Sequence, residues 1–111
     1  MFYKRDASGY RRAVEGVRMK TLVYGVHTLF TEFQLGAGHT LPRHAHSQEQ
    51  TGYLVSGSIR LFIGGDTFDV GPGDSWCIPG GVEHGAEILV DSVAIEVFSP
   101  VREDYLPCIV N

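Results

Sequence analysis

Hydrophobic residues recur at every second position over short stretches of this chain, and nowhere with helical spacing over a useful length. Val17, Met19, Thr21 and Val23 alternate with Arg18, Lys20 and Leu22, which predicts a first strand over 17–23. Tyr24-Gly25 interrupts it. A second strand is predicted over 27–35, with Leu29, Phe33 and Leu35 on one face and Thr28, Glu32 and Gln34 on the other. Further apolar runs at 53–55, 59–63, 67–70, 75–78, 85–90 and 92–98 read as strands, the last two joined around Asp91. Gly36-Ala37-Gly38, Ser56-Gly57-Ser58 and Gly71-Pro72-Gly73-Asp74 read as turns. Gly64-Gly65 is the clearest hairpin signal, because both turn positions tolerate positive φ. Some eight short strands at close spacing imply an all-β antiparallel sandwich or barrel. In the last strand, Val93, Ile95 and Val97 are expected to pack in protein, with Ala94, Glu96 and Phe98 facing a pocket. Parity alone leaves solvent an equal alternative for Glu96.

Composition narrows the class. The 111 residues make one domain with a modest core, and 43% hydrophobic against 20% charged residues is ordinary for a globular protein. Residues 1–13, with Lys4, Arg5, Arg11 and Arg12, read as a loosely held arm, leaving 14–111 as the domain. A net charge of −4 argues against a nucleic-acid partner. The arm lacks the apolar segment of a secretory signal, and no apolar run approaches the ~20 residues of a membrane-spanning helix. Cys77 and Cys108 form no CxxC, so a cytoplasmic protein with reduced thiols is expected. Cys77 is read as a small buried hydrophobe rather than a pocket residue. A small barrel with apolar residues on both faces of several strands has surface to cover. A homodimer is therefore expected, with the first strand and the arm contributing.

The candidate chemistry lies in two stretches. In GHTLPRHAHSQEQTGYLVSG (38–57), His44 and His46 share a strand face by parity, and Gln50 joins them if the strand runs on unbroken. In GDSWCIPGGVEH (73–84), His84 follows a Pro-Gly-Gly turn. Three imidazoles suit zinc, copper, iron or nickel, so one divalent transition-metal ion per chain is expected. Glu49 is the competitor for the fourth ligand; parity favours Gln50. His27 and His39 read as structural.

These stretches resemble the two motifs of the cupin superfamily. Gly38, His44, His46 and Gly57 fall on the first, with Gln50 where glutamate is usual. Gly73, Pro79, Gly81 and His84 fall on the second, whose final asparagine is Ile88 here. The resemblance spans roughly residues 30 to 98 and implies a single-domain cupin jelly-roll β-barrel. The runs SQEQTGYLVSG and EVFSPVREDYL further resemble the pectin-degradation cupins of the KdgF type. That family helps convert 4,5-unsaturated uronates, released by pectate or alginate lyases, into linear keto acids. The resemblance implies a metal held by His44, His46, Gln50 and His84, with Glu96 and Arg102 contributing to activity and Phe98 and Arg102 to substrate binding. The family usually has aspartate at the position of Glu96.

A site of three imidazoles and one amide leaves the ion its full charge. Such an ion is a Lewis acid suited to small anionic, oxygen-rich substrates such as a sugar acid. Arg102 would clamp a carboxylate, and Glu96 would serve as general acid/base. Arg102 as a plain surface charge is an equal alternative. Two other function classes stay open: a metal-dependent dioxygenase, distinguished by oxygen consumption, and a ligand-binding cupin without turnover.

Overall fold

The computed structural model describes residues 1–106. In chain order the strands are β1 (Arg11–Val14), β2 (Val17–Tyr24), β3 (Leu29–Leu35), β4 (Thr40–His44), β5 (Glu49–Ile63), β6 (Asp66–Val70), β7 (Ser75–Ile78) and β8 (His84–Ser99). One 3₁₀ turn, Glu103–Tyr105, follows. The strands form one antiparallel sheet in the order β1-β2-β3-β8-β5-β6, with β4 added to β8 and β7 to β5. The sheet curls over without closing into a hydrogen-bonded ring, giving the jelly-roll arrangement expected from the sequence.

The two long strands do the curling. The second half of β8 pairs with β3, from Ser92 opposite Leu35 to Phe98 opposite Leu29. Its first half pairs with β4. Likewise β5 pairs with β7 over 50–53 and with β6 over 59–63. Each strand therefore changes partners, and so changes layers, near its middle. The register of β5 on β8 shifts between Leu54 and Ser56, Ser56 and Ser58, and Ser58 and Ile59. Bulges of this kind bend a strand without ending it. Gly57 sits there at φ +99°, and a β-carbon on it would lie 2.0 Å from Ser92 Oγ. The Ser92 hydroxyl donates to the Val90 carbonyl (2.8 Å) and accepts from the Ser58 N–H (3.0 Å). Two expectations are thereby corrected. Ser56-Gly57-Ser58 bends one strand instead of reversing the chain, and the strands expected at 85–90 and 92–98 are halves of β8.

Between the layers, Val17 and Met19 of β2, Leu29, Phe33 and Leu35 of β3, and Leu54, Ile59 and Leu61 of β5 pack together. Val70 of β6 and Ala86, Ile88, Ala94 and Phe98 of β8 complete that core. Each fully buried large side chain contributes about 1.5–3 kcal/mol. The inward set of β8 is Ala94 and Phe98, as alternation required. Val93, Ile95 and Val97 differ from expectation: they are half-exposed on the outer face, not packed in the core. Gly64 takes φ +57° in the hairpin joining β5 to β6, at the predicted place.

Residues 11–13 of the expected arm belong to β1, which pairs with β2. Upstream, Tyr10 Oη donates to Glu32 (2.6 Å) and Lys20 Nζ to the Asp6 carbonyl (2.7 Å). Cys77 is exposed, contrary to expectation, because it falls on the outward face of β7 opposite Thr51. Cys108 lies outside the described residues. Among those described, no helix is long and apolar enough to cross a membrane.

Candidate metal centre and adjoining pocket

His44, His46 and His84 converge, with one ring nitrogen of each lying within 4.8 Å of the other two. They arrive from three different places. His44 is the last residue of β4, His46 lies in the loop that follows, and His84 opens β8, paired with His44. Gln50 stands near the start of the next strand, β5. The single strand carrying His44, His46 and Gln50 does not exist. Convergence comes instead from β4 ending where the loop folds back. A Pro79-Gly80-Gly81 turn holds that loop: the Gly81 N–H donates to the His46 carbonyl (2.8 Å). A β-carbon on Gly80 would lie 2.3 Å from the Ser47 carbonyl oxygen, so the turn needs glycine there.

The hydrogen bonds fix which nitrogen faces the centre. Nδ1 of His44 bonds the Pro42 carbonyl (2.8 Å), that of His46 the Gln48 carbonyl (3.0 Å), and that of His84 the Val82 carbonyl (2.9 Å). Each neutral ring donating from Nδ1 keeps its lone pair on Nε2, the arrangement that orients metal-ligating histidines. Burial, ahead of the nearby Arg102 and His44 charges, holds His46 below its ordinary pKa. Burial does the same to His84. Both rings are thus kept neutral and able to ligate.

Two features fit a cation at this point. Nε2 of His84 is buried without a hydrogen-bond partner, a costly state for a polar atom. Nε2 of His46 lies 3.0 Å from Oε1 of Gln50, and with the ring proton on Nδ1 both atoms present lone pairs suited to a cation. Glu49 is exposed and points toward Cys77 Sγ (3.9 Å), away from the imidazoles. His27 is exposed in a turn, and the His39 ring fills the space above Gly16.

A recess of about 60 Å³ adjoins the imidazoles and is walled in part by Gln50, Trp76, Glu96, Phe98, Arg102 and Tyr105. The carboxyl of Glu96 faces it, paired with the Trp76 indole N–H (3.2 Å) and the Gln50 amide. Burial pushes its pKa up to about 7; hydrogen bonds from Gln50 and Trp76 and the charge of Arg102 offset only part of that. Arg102 is no free surface charge. Its side chain is 13% exposed, lies over the Tyr105 ring (3.8 Å) and the Phe98 ring (5.2 Å), and pairs with Asp104. His44, His46, Gln50, His84, Glu96, Phe98 and Arg102 lie together here, and Glu49 does not.

Sequence reasoning missed Trp76 and Tyr105. Both left a signal. Trp76 shares the inward parity of Ile78 in β7, opposite a glycine, Gly52, that leaves room for an indole. Tyr105 stands three residues after Arg102, the spacing that stacks side chains in a 3₁₀ turn.

The fold is shared with known proteins. KdgF from Halomonas sp. superposes with TM-score 0.89 at 28% identity, covering 96% of this chain and 100% of its own. An RmlC-like cupin from Shewanella frigidimarina does so with TM-score 0.89 at 26% identity, covering 95% of each chain. A predicted oxalate decarboxylase from Thermotoga maritima, at 18% identity and TM-score 0.78, covers 91% of this chain and 100% of its own, and shares the fold alone. No curated protein sequence matches the chain significantly. Residues 31–99, from mid-β3 to the end of β8, match the cupin domain model, and the chain belongs to that family.

Proposed function

We propose that this protein is a metal-dependent cytoplasmic cupin that opens 4,5-unsaturated uronates to the linear keto acid. One observation carries the reading: a half-buried carboxyl, Glu96, shares a recess with His44, His84 and a guanidinium, beside the third histidine, His46. The likeness to KdgF supports it.

His44, His46 and His84, with Gln50 as fourth ligand, would hold one divalent ion. When bound, the ion supplies Lewis acidity toward substrate oxygens. The chain's own groups do the rest. Arg102 binds the substrate carboxylate, and Phe98 and Tyr105 wall the recess against water. Ring opening breaks the bond from the ring oxygen to the anomeric carbon. The anomeric hydroxyl loses a proton as it becomes the aldehyde, the ring oxygen leaves as an enolate, and that enolate gains one proton at C4 to become the ketone, so no proton is consumed overall. A carboxyl ionising near 7 is poised to accept and return that proton, and Glu96 is the group so placed.

The test is the decay of the substrate's ultraviolet absorbance with metal-loaded protein, the spontaneous rate subtracted. Acceleration is expected. An unchanged rate sinks the uronate reading.

A further inference from the structure

Outside the recess lies a larger chamber of about 430 Å³, and the two share His44, Arg102 and Tyr105 on their walls. The chamber's charge is opposite to that of the chain. Its charged wall residues are three arginines, Arg11, Arg12 and Arg102, against one aspartate, Asp104: a formal +2 in a protein of net −4. A concave surface with such a local excess draws in anions.

Arg102 alone does not provide that excess. Asp104 accepts from its Nε (3.1 Å) and Nη2 (2.7 Å), so one edge of the guanidinium is occupied and the pair cancels at a distance. The surplus comes from β1. Arg11 donates from Nη2 to the Asp104 backbone carbonyl (2.5 Å), and its Nε lies 3.3 Å from Met19 Sδ. Its Cζ stands 5.6 Å from the centre of the Tyr105 ring, the same ring that Arg102 covers at 3.8 Å. Two guanidinium groups are thus set around one aromatic ring at the junction of chamber and recess. Arg11 is exposed there, with donors left over for a ligand.

We propose that Arg11 is a specificity residue of this site, forming with Arg102 a paired-guanidinium station for a carboxylate entering the outer chamber. Asp104 is the positioning residue that sets both groups, with its carboxylate for one and its backbone carbonyl for the other. The amino-terminal strand is then part of the ligand site. The identity of the ligand as a uronic acid rests on the functional reading above; the charge arrangement does not.

The test uses the metal-loaded full chain and D-galacturonate, a saturated uronic acid, titrated by calorimetry, with neutral D-galactose as its partner probe. Arg11→Gln should weaken galacturonate binding roughly fivefold, the size of one exposed ionic contact, and flatten its fall with added salt. Metal content, melting temperature and the response to galactose should not change. Arg11→Lys, which keeps the charge, should retain most of the affinity. In turnover of the unsaturated uronate, Arg11→Gln should raise KM and leave kcat alone. Wild-type affinity for galacturonate in Arg11→Gln overturns the proposal, as does loss of metal in step with loss of binding, which would mark a structural role. Arg11-dependent binding by a protein that turns over no uronate leaves this inference standing and removes the functional one. Turnover indifferent to Arg11 does the reverse.

Discussion

The indole N–H of Trp76 donates to Oε1 of Glu96 at 3.2 Å, and the residue opposite Trp76 across the β5–β7 ladder is Gly52. A β-carbon on Gly52 would come within 2.2 Å of the indole. The glycine therefore holds the tryptophan in place, and the tryptophan holds the carboxyl. Gly52 also stands opposite Glu96 on the β5–β8 ladder, so Gly52→Ala should displace the indole and disturb the carboxyl beside it.

That carboxyl has a pH signature. Glu96 ionises near 7 in the folded chain against an ordinary 4.5, burial being the main cause. Between those values the folded state holds a proton that the unfolded state has lost. Stability from this group is therefore fully present below about pH 4.5 and is lost as pH rises through 7. In metal-free protein, Glu96→Gln should be more stable than wild type at pH 8, with the gap closing toward pH 5, as read by urea denaturation. A gap of the same size at both pH values contradicts the assignment. A bound dication would pull the ionisation down, so metal loading should shrink the gap.

Metal content should follow the histidines. Elemental analysis of untagged protein is expected to find one divalent ion per chain, and none in His44→Ala/His46→Ala. Ligating imidazoles must be neutral, and burial already disfavours their protonation in His46 and His84, so the ion should leave only as pH falls through roughly 6. Retention in the double variant would rule out this centre.

Gln50 and Glu49 separate cleanly. Gln50 is buried with its oxygen at His46, whereas Glu49 is exposed beside Cys77. Gln50→Ala should weaken metal affinity at least about tenfold, and Glu49→Ala should leave it unchanged. The opposite order would identify the carboxylate as the ligand.

For catalysis, Glu96→Gln should lower turnover by about 10² to 10⁴ with metal intact, the usual cost of losing a general acid/base. Glu96→Asp, with the side chain usual in KdgF-type cupins, should keep or raise activity. Arg102→Ala should mainly raise KM, as loss of a clamp that holds ground and transition states alike. Equal turnover in Glu96→Gln and wild type would remove this carboxyl from the mechanism.

The outer surface carries a separate expectation. Tyr53, Val55, Leu89 and Val90 are each 46–49% exposed on the two long strands. We expect a homodimer, with β1, β2 and the amino-terminal residues as further contributors. Light scattering at tens of micromolar showing only monomer would refute it.

Much of this was legible in residue order because strand alternation is local. Leu29, Phe33 and Leu35 face inward as their spacing says, and His84 follows its Pro-Gly-Gly turn into place. The corners were not legible. Ser56-Gly57-Ser58 has the composition of a reversal, and only its pairing with Val90 and Val93 shows that it bends a strand. The same blindness put His44, His46 and Gln50 on one strand, although the choice of Gln50 over Glu49 agrees with where their side chains lie. Arg102 and Asp104 are two residues apart, yet nothing in that spacing reveals that β1 brings Arg11 to the backbone carbonyl of the same aspartate.

The corner in β5 and β8 has a consequence for the centre itself. His84 and Phe98 lie at opposite ends of β8, and a straight strand would separate them by roughly 46 Å. In the folded chain the His46 ring lies 4.9 Å from one ring and 5.7 Å from the other. Holding the ends together costs configurational freedom that the ribbon regains whenever it springs open. An ion held by His44, His46, Gln50 and His84 would tie β4, β5 and β8 together at that margin, so its binding energy adds to the cost of opening there. Amide hydrogens of β4, β7 and the first turn of β8 should therefore exchange more slowly with metal present, by a factor that tracks ion affinity.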